Sequence, residues 1–236
     1  MNLKLQAAQK ALDLVQNGMV VGLGSGSTAS LFVSMLGESL RTGRLFDIVG
    51  IATSQTTADL AHSLDIPLTS LAEHSTIDLA VDGADEVDPN LDLIKGLGKA
   101  LLREKMVEVH ARRFVVIVDE SKLVPKLGTR DALPVEIVQF EWQASLRWLN
   151  TLGCRAELWR NELSEPYVTD NGNYLARCWF EGPGSERVLS GILDPALLAR
   201  QLADFPGIVE HGLFLGMANQ VIVAGTNGIR IMERTE

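Results

Sequence analysis

A chain of 236 residues that is 46% hydrophobic can bury a sizeable core, as one large α/β unit with a smaller one appended or inserted. Its 30 Asp and Glu against 21 Lys and Arg leave a net charge of -9, which argues against non-specific nucleic-acid binding, a function of clustered Lys and Arg. No apolar run approaches the ~20 residues of a membrane-spanning helix, and Cys154 and Cys178, with neither zinc-site spacing nor a disulfide framework, point to a reduced, cytoplasmic setting.

Leu3 to Val15 is predicted as an amphipathic helix with Leu5, Ala8, Leu12 and Val15 on one side and Asn17-Gly18 as its stop. The first residues carry that periodicity instead of the apolar region of a signal peptide. A short strand, Met19 to Leu23, runs into Gly24-Ser-Gly-Ser-Thr28, and a helix from about Thr28 to Leu40 follows with Leu31, Met35 and Leu36 as its core face. Phe46 to Ala52 is the second strand. The hydroxyls of Ser54-Gln-Thr-Thr57 suit the N-cap of a helix from Ala58 to Leu64, and Pro67 to Thr69 makes at most a short strand. Ile77 to Val81 is a strand ending at Asp82, and Arg113 to Asp119 is another, ending in Asp119-Glu-Ser-Lys122. Apolar strands alternating with helices indicate a Rossmann-like parallel sheet with helices on both faces.

The periodicity changes after about Leu127. Leu133 to Val138 alternates like a half-buried strand, and Glu141 to Leu152 is a helix that buries Trp142, Leu146 and Leu149 before stopping at Gly153. Arg155 to Arg160 and the segments flanking Asp170-Asn-Gly172 read as antiparallel strands, since Asn-Gly is the strongest short hairpin signal. Glu181 to Glu186 is the expected mobile loop. Asp194 opens a helix that ends near Phe205-Pro-Gly207, and Ile208 to Met232 returns to short strands with a second hairpin at Asn227-Gly228. The expected division is an α/β domain from 1–128 and 208–236 and a small α+β domain from 129–207.

Four apolar strands end in polar or glycine-rich residues, at Gly24 to Thr28, Ser54 to Thr57, Asp82 to Asp85 and Asp119 to Lys122. In a parallel sheet those ends lie along one edge, where open α/β sheets bind ligands. The competing reading, that turns are simply polar, explains any one of the four more easily than all of them. Between a strand and a helix, Gly24 to Thr28 offers backbone N–H groups and a helix N-terminus to an anion, with the hydroxyls of Ser25, Ser27 and Thr28 as further donors. It lacks the Gly-Lys-Ser/Thr ending of a nucleotide P-loop. It does match G-x-G-x-x-A, but the second strand ends in Ala52-Thr-Ser54, without the acidic residue that holds a dinucleotide ribose, and Asp47 stands at its other end. A small metabolite's phosphate therefore fits better than NAD, with a tight glycine turn as the bland alternative.

Asp82 and Asp85 admit three readings. They could ligate Mg²⁺, for which Asp82, Asp85, Glu86 and Asp88 supply a carboxylate cluster; cap a turn; or bind substrate hydroxyls and assist a proton transfer. Lys95 favours the third, because an ammonium stabilises a developing oxyanion without a metal. Glu104 is a solvated helix residue by the usual distribution of glutamates. If it faces the crevice instead, partial burial raises a carboxyl pKa and suits it to carry a carbon-bound proton. Arg103, Lys105 and Lys99 read as its surface neighbours.

Over nearly its whole length the chain resembles ribose-5-phosphate isomerase of type A. The resemblance rests on Gly24-Ser-Gly-Ser-Thr-Ala29, Asp82-Gly-Ala-Asp-Glu86, Lys95-Gly-Leu-Gly98, Leu102-Arg-Glu-Lys105, Asp119-Glu-Ser-Lys122, Leu133-Pro-Val-Glu136, Val168-Thr-Asp-Asn-Gly-Asn173 and His211-Gly-Leu-Phe214. It implies interconversion of ribose 5-phosphate and ribulose 5-phosphate through an enediolate, in the pentose phosphate pathway, with no metal or organic cofactor. It also implies a cytoplasmic homo-oligomer, a dimer or tetramer. By resemblance, Glu104 transfers the proton, and Asp82, Asp85 and Lys95 complete the catalytic set. Substrate binding falls to Ser25, Gly26, Ser27, Thr28, Gly83, Ala84, Gly96, Leu97, Gly98 and Lys122 beside those aspartates and Lys95, with Lys4 near the phosphate.

Two positions depart from the family pattern. Leu97 stands where glycine is usual and takes positive φ less cheaply; if it forces the backbone to turn differently, N–H groups aimed at substrate are displaced, lowering activity or altering preference among sugar phosphates. Ser25 stands where threonine is usual. Two other functions compete with this reading. One is a sugar-phosphate sensor, against which the lack of an output module counts. The other is a different sugar-phosphate isomerase or deaminase on a related scaffold.

Overall fold

The structure, a computed structural model, describes residues 2–182 and 189–234. In chain order it runs α1 (Leu3–Leu12), β1 (Val20–Leu23), α2 (Ser27–Arg41), β2 (Val49–Ala52), α3 (Gln55–Ser63), β3 (Leu79–Asp82), β4 (Glu86–Val87), β5 (Leu93–Ile94), α4 (Leu101–Val109), β6 (Phe114–Asp119) and β7 (Leu133–Ile137). Then come α5 (Trp142–Leu149), β8 (Arg155–Leu158), β9 (Tyr174–Trp179), α6 (Pro195–Asp204), β10 (Ile208–His211), β11 (Leu213–Phe214), β12 (Gln220–Gly225) and β13 (Gly228–Glu233). The chain forms two compact units, one of Met1–Ala84, Arg103–Lys122 and Gly216–Glu236, the other of Asp85–Leu102 and Leu123–Leu215. Boundaries drawn from the sequence at 128 and 208 differ from these, because short strands pair far along the chain: β5 lies against β11, and β10 against β7.

The first unit holds a six-stranded sheet in the order β13-β12-β6-β3-β1-β2. Its first five strands in the chain, β1, β2, β3, β6 and β12, run parallel, and β13 closes one edge antiparallel to β12. Alternation along β1 shows why both faces are covered. Val21 and Leu23 pack with Ala7, Ala11, Phe32 and Leu36 of α1 and α2, whereas Val20 packs with Ile51, Ile77 and Val107 on the α4 side. Each fully buried large aliphatic or aromatic side chain here contributes about 1.5–3 kcal/mol. A Cβ at Gly22 would approach Val107 Cγ1 to 3.0 Å, so the bare glycine lets α4 lie close to the sheet.

Several bounds move from those expected. β2 starts at Val49 rather than Phe46, because Asp47 has φ +57° and Phe46 is 55% exposed. The segment at Pro67 to Thr69 reduces to one bridge, Gly50 to Leu68. The last hairpin pairs Gly225 with Gly228, so its turn is Thr226-Asn227, one residue earlier than the Asn-Gly signal.

The second unit holds an antiparallel sheet in the order β10-β7-β9-β8 and a three-stranded one in the order β11-β5-β4. Val135, Ile137, Leu149, Leu198 and Leu202 share one core there, against which Trp142 and Leu146 pack part-buried. The expected hairpin at Asp170-Asn-Gly172 is tighter than a ladder: Val168 and Tyr174 make one bridge, and Gly172 N donates to Thr169 O at 2.9 Å. Buried Glu136 fastens it, since its Oε1 accepts from Thr169 Oγ1 at 2.9 Å, Asn173 Nδ2 at 2.9 Å and Asn171 Nδ2 at 3.2 Å. Of the loop expected to be mobile, residues 183–186 lie outside the described residues.

Candidate active site

In the first unit, the carboxyl ends of β1, β2 and β3 are tied together by polar groups. Gly24 N donates to Val81 O at 3.0 Å, and the Oδ1 of Asp82 accepts from Ser25 N at 2.9 Å and Gly83 N at 2.6 Å. Asp82 is 1% exposed, and a Cβ at Gly24 would overlap its carboxylate. Ser25 Oγ lies 2.7 Å from Thr53 Oγ1, 2.8 Å from Ser54 Oγ and 3.2 Å from Thr57 Oγ1. Ser54 meanwhile caps α3 by accepting from Thr57 N at 3.1 Å, so the predicted N-cap hydroxyls also brace the glycine-serine turn.

Gly26 sets the entry to α2 at φ +90° and ψ 176°, without a side-chain cap. That backbone conformation is essentially glycine's alone, and it leaves the opening N–H groups of a 15-residue helix available to an anion. Lys4 reaches the same turn, donating from Nζ to Ser27 Oγ at 2.8 Å. Lys122 and Lys4 both act on Asp119: burial pushes its carboxyl up, but hydrogen bonds from Ser121 and the two ammonium groups outweigh burial and hold it below the usual range. Ser25, Gly26, Ser27, Thr28, Lys4 and Lys122 thus share the strand-end edge of one sheet.

Glu104 belongs to this unit and is 3% exposed, not a solvated residue. Two observations give its place along the strands. The end of α4 meets the beginning of β3, where Ile77 N donates to His110 O at 3.0 Å, and Val107 faces Gly22 in the middle of β1. Glu104 lies one helical turn before Val107 and therefore toward the carboxyl ends, where Asp82 and Gly24 stand. Glu108 is also 3% exposed, a buried carboxylate one turn further on that sequence reasoning missed despite the i, i+4 spacing.

In the second unit, Asp85 N donates to Ile94 O at 2.8 Å, and Asp85 Oδ2 accepts from Leu97 N at 2.9 Å. Lys95 is 2% exposed; its N donates to Gly212 O at 2.9 Å, and its Nζ lies 5.5 Å from the centroid of the Phe214 ring. A Cβ at Gly212 would overlap Lys95 O, which gives the His211-Gly-Leu-Phe214 motif a physical meaning as the wall behind Lys95. The turn that follows is closed by Lys99 N donating to Gly96 O at 2.9 Å.

Leu97 does not carry the positive φ that its place in a glycine-rich motif suggested. Gly96 at φ +103° and Lys99 at φ +71° carry it, and the Leu97 N–H stays aimed at Asp85. For Lys99 that backbone costs on the order of 1–3 kcal/mol. Its side chain is not simply a surface neighbour of Glu104 either, for it packs over Tyr167 and Trp159. Arg103 and Lys105 are both part-exposed.

Two of the four carboxylates offered as Mg²⁺ ligands have other work. Glu86 is fully buried and accepts from Gly128 N at 2.6 Å, Arg130 N at 2.7 Å and Asp131 N at 2.9 Å, while burial pushes its carboxyl up against those bonds. Asp88 accepts from Asn90 N at 2.8 Å and Asp92 N at 2.9 Å, and burial outweighs those bonds to raise its pKa too.

Comparison with known proteins gives the family. Residues 49–228 match the family described as Ribose 5-phosphate isomerase A (phosphoriboisomerase A). Ribose-5-phosphate isomerase A of Chloroflexus aurantiacus is 51% identical over 227 residues, 96% of this chain and 91% of that protein. Probable ribose-5-phosphate isomerase 3, chloroplastic, of Arabidopsis thaliana is 50% identical over 238 residues, 99% of this chain and 83% of that protein. A solved D-ribose-5-phosphate isomerase in complex with phospho-erythronic acid shares 41% identity over 99% of this chain and 100% of its own, at a TM-score of 0.92.

Proposed function

Since the chain belongs to the ribose 5-phosphate isomerase A family, it interconverts ribose 5-phosphate and ribulose 5-phosphate, and we propose that Glu104 carries the proton between C2 and C1. The observation behind this assignment is a glutamate only 3% exposed in the unit that also carries the glycine-serine turn and Asp82. Burial removes the competition of bulk water for a carboxylate that must reach a carbon-bound proton.

The phosphate is held by the opening N–H groups of α2 and by the hydroxyls of Ser27 and Thr28, with Lys4 and Lys122 balancing its charge. Binding energy spent on that remote group orients the reacting carbons. Asp82 handles the hydroxyl proton as the ring opens. Glu104 then takes the C2 proton, C1 and C2 become double-bonded, and negative charge gathers on O1. The O2 hydroxyl proton passes to O1, C1 receives the proton from Glu104, and C2 becomes the carbonyl. Lys95 supplies the ammonium that offsets charge on the enediolate oxygens, and Asp85 holds the Leu97 peptide of the following turn. No step uses a metal, as Glu86 and Asp88 serve the fold.

Purified protein incubated with ribose 5-phosphate should yield ribulose 5-phosphate at the same rate with and without a chelator. Loss of turnover with the chelator and its return with Mg²⁺ would give Asp82 and Asp85 back to a metal. A sensor would bind the sugar phosphate in a titration and leave it unchanged.

Among the described residues no helix is long and apolar enough to cross a membrane. We place the protein in the cytoplasm, since Cys154 and Cys178 are free thiols, and in the pentose phosphate pathway as a homo-oligomer. Sedimentation at the mass of a dimer or tetramer is expected; a monomer at working concentration would contradict it.

A further inference from the structure

The turn from Lys95 to Lys99 contains an expensive choice: a lysine with φ +71°, where a glycine would be free of strain. What Lys99 gains is visible at the other end of its side chain. Nζ stands 4.4 Å from the centroid of the Tyr167 ring and 5.5 Å from that of Trp159. The backbone that carries both rings is tied down, Trp159 N donating to Leu175 O at 2.7 Å and Tyr167 N to Trp159 O at 2.9 Å. Arg177 adds a second cation over Trp159, its Cζ 5.1 Å from the centroid.

We propose that Lys99 is a positioning residue for the isomerase reaction, its ammonium seated on Tyr167 and Trp159 so as to fasten the Lys95–Lys99 turn and keep the Leu97 N–H on Asp85. The proposal rests on the reading of that turn as substrate-binding. A cation over two aromatic faces is attracted by their quadrupoles, most strongly where water is partly displaced, and Lys99, Tyr167 and Trp159 are all part-buried. With the cation removed, the turn keeps its glycine-led shape but samples more orientations, and substrate pays for reordering it on binding. The effect then falls on KM more than on kcat, because Lys99 acts through the turn and holds no reacting atom.

Steady-state kinetics with ribose 5-phosphate and calorimetric binding of phospho-erythronic acid test this on four variants of the full chain. Lys99→Met and Tyr167→Ala should each raise KM and the inhibitor Kd by about 5–10-fold, with kcat changed less than about twofold. Lys99→Arg and Tyr167→Phe, which keep the cation and the ring, should stay within about twofold of the parent on all three values. Lys99→Gly removes the ammonium and the φ strain together, so the weaker binding expected of it cannot come from a strained backbone. Unchanged KM and Kd in both Lys99→Met and Lys99→Gly would overturn the proposal, as would a Tyr167→Phe loss equal to that of Tyr167→Ala. Lys95→Met is measured alongside. If it leaves kcat/KM unchanged, the substrate-binding reading of the turn falls; if it is impaired while Lys99→Met is not, only the aromatic seat falls.

Discussion

Glu104→Gln is expected to lower kcat for ribose 5-phosphate by roughly 10²–10⁴-fold, the range for loss of a positioned general acid–base, with KM changed by no more than about threefold. Glutamine keeps the size and a hydrogen-bonding oxygen but cannot accept and return a proton. At 3% exposure the position has little access to water, so a solvent molecule is poorly placed to replace the carboxylate. Steady-state assays in both directions check it, since one group serves both. A variant retaining more than a tenth of the parent kcat would remove Glu104 from the role.

The second large effect comes from one methyl group. Gly24→Ala would place a Cβ on the Asp82 carboxylate, where the bonds from Ser25 N and Gly83 N already fix Oδ1. Either Asp82 turns away or the strand end moves, and both displace the turn that leads into α2. Overpacking of this kind costs about 1–3 kcal/mol of stability, and a shift of about 1 Å in a positioned group costs about 10²-fold in rate. Thermal unfolding and kcat/KM measured on the same preparation should show both losses. Parent-like kcat/KM in a folded Gly24→Ala protein would mean that the Asp82 carboxylate is not held where catalysis needs it.

The parallel core was legible in the sequence because its strands are short apolar runs bounded by polar turns, a pattern set by local burial on both faces. The four strand ends were legible for the same reason, and three of them prove to be bonded to one another through Ser25, Asp82 and Thr53. The two-residue strands β4 and β5 have no periodicity to detect, and the pairing of β5 with β11 is set by a segment in the last quarter of the chain. Burial of Glu104 and Glu108 was hidden because a charged residue on a helix reads as solvated until its neighbours are known. Leu97 looked like the strained residue because it departs from a motif. Strain instead falls on Lys99, and the compensating contact with Tyr167 and Trp159 is tertiary.

The most direct test follows hydrogen instead of turnover. Ribulose 5-phosphate deuterated at C1 is incubated with parent and Glu104→Gln protein, and departure of the label from C1, whether to C2 or to water, is read by NMR beside calorimetric binding of phospho-erythronic acid. The parent is expected to move label out of C1, and Glu104→Gln to bind the acid within about threefold of the parent yet leave the label at C1. Departure of label from C1 in Glu104→Gln at the parent rate would show that some other group moves the proton, and would contradict the role given to Glu104.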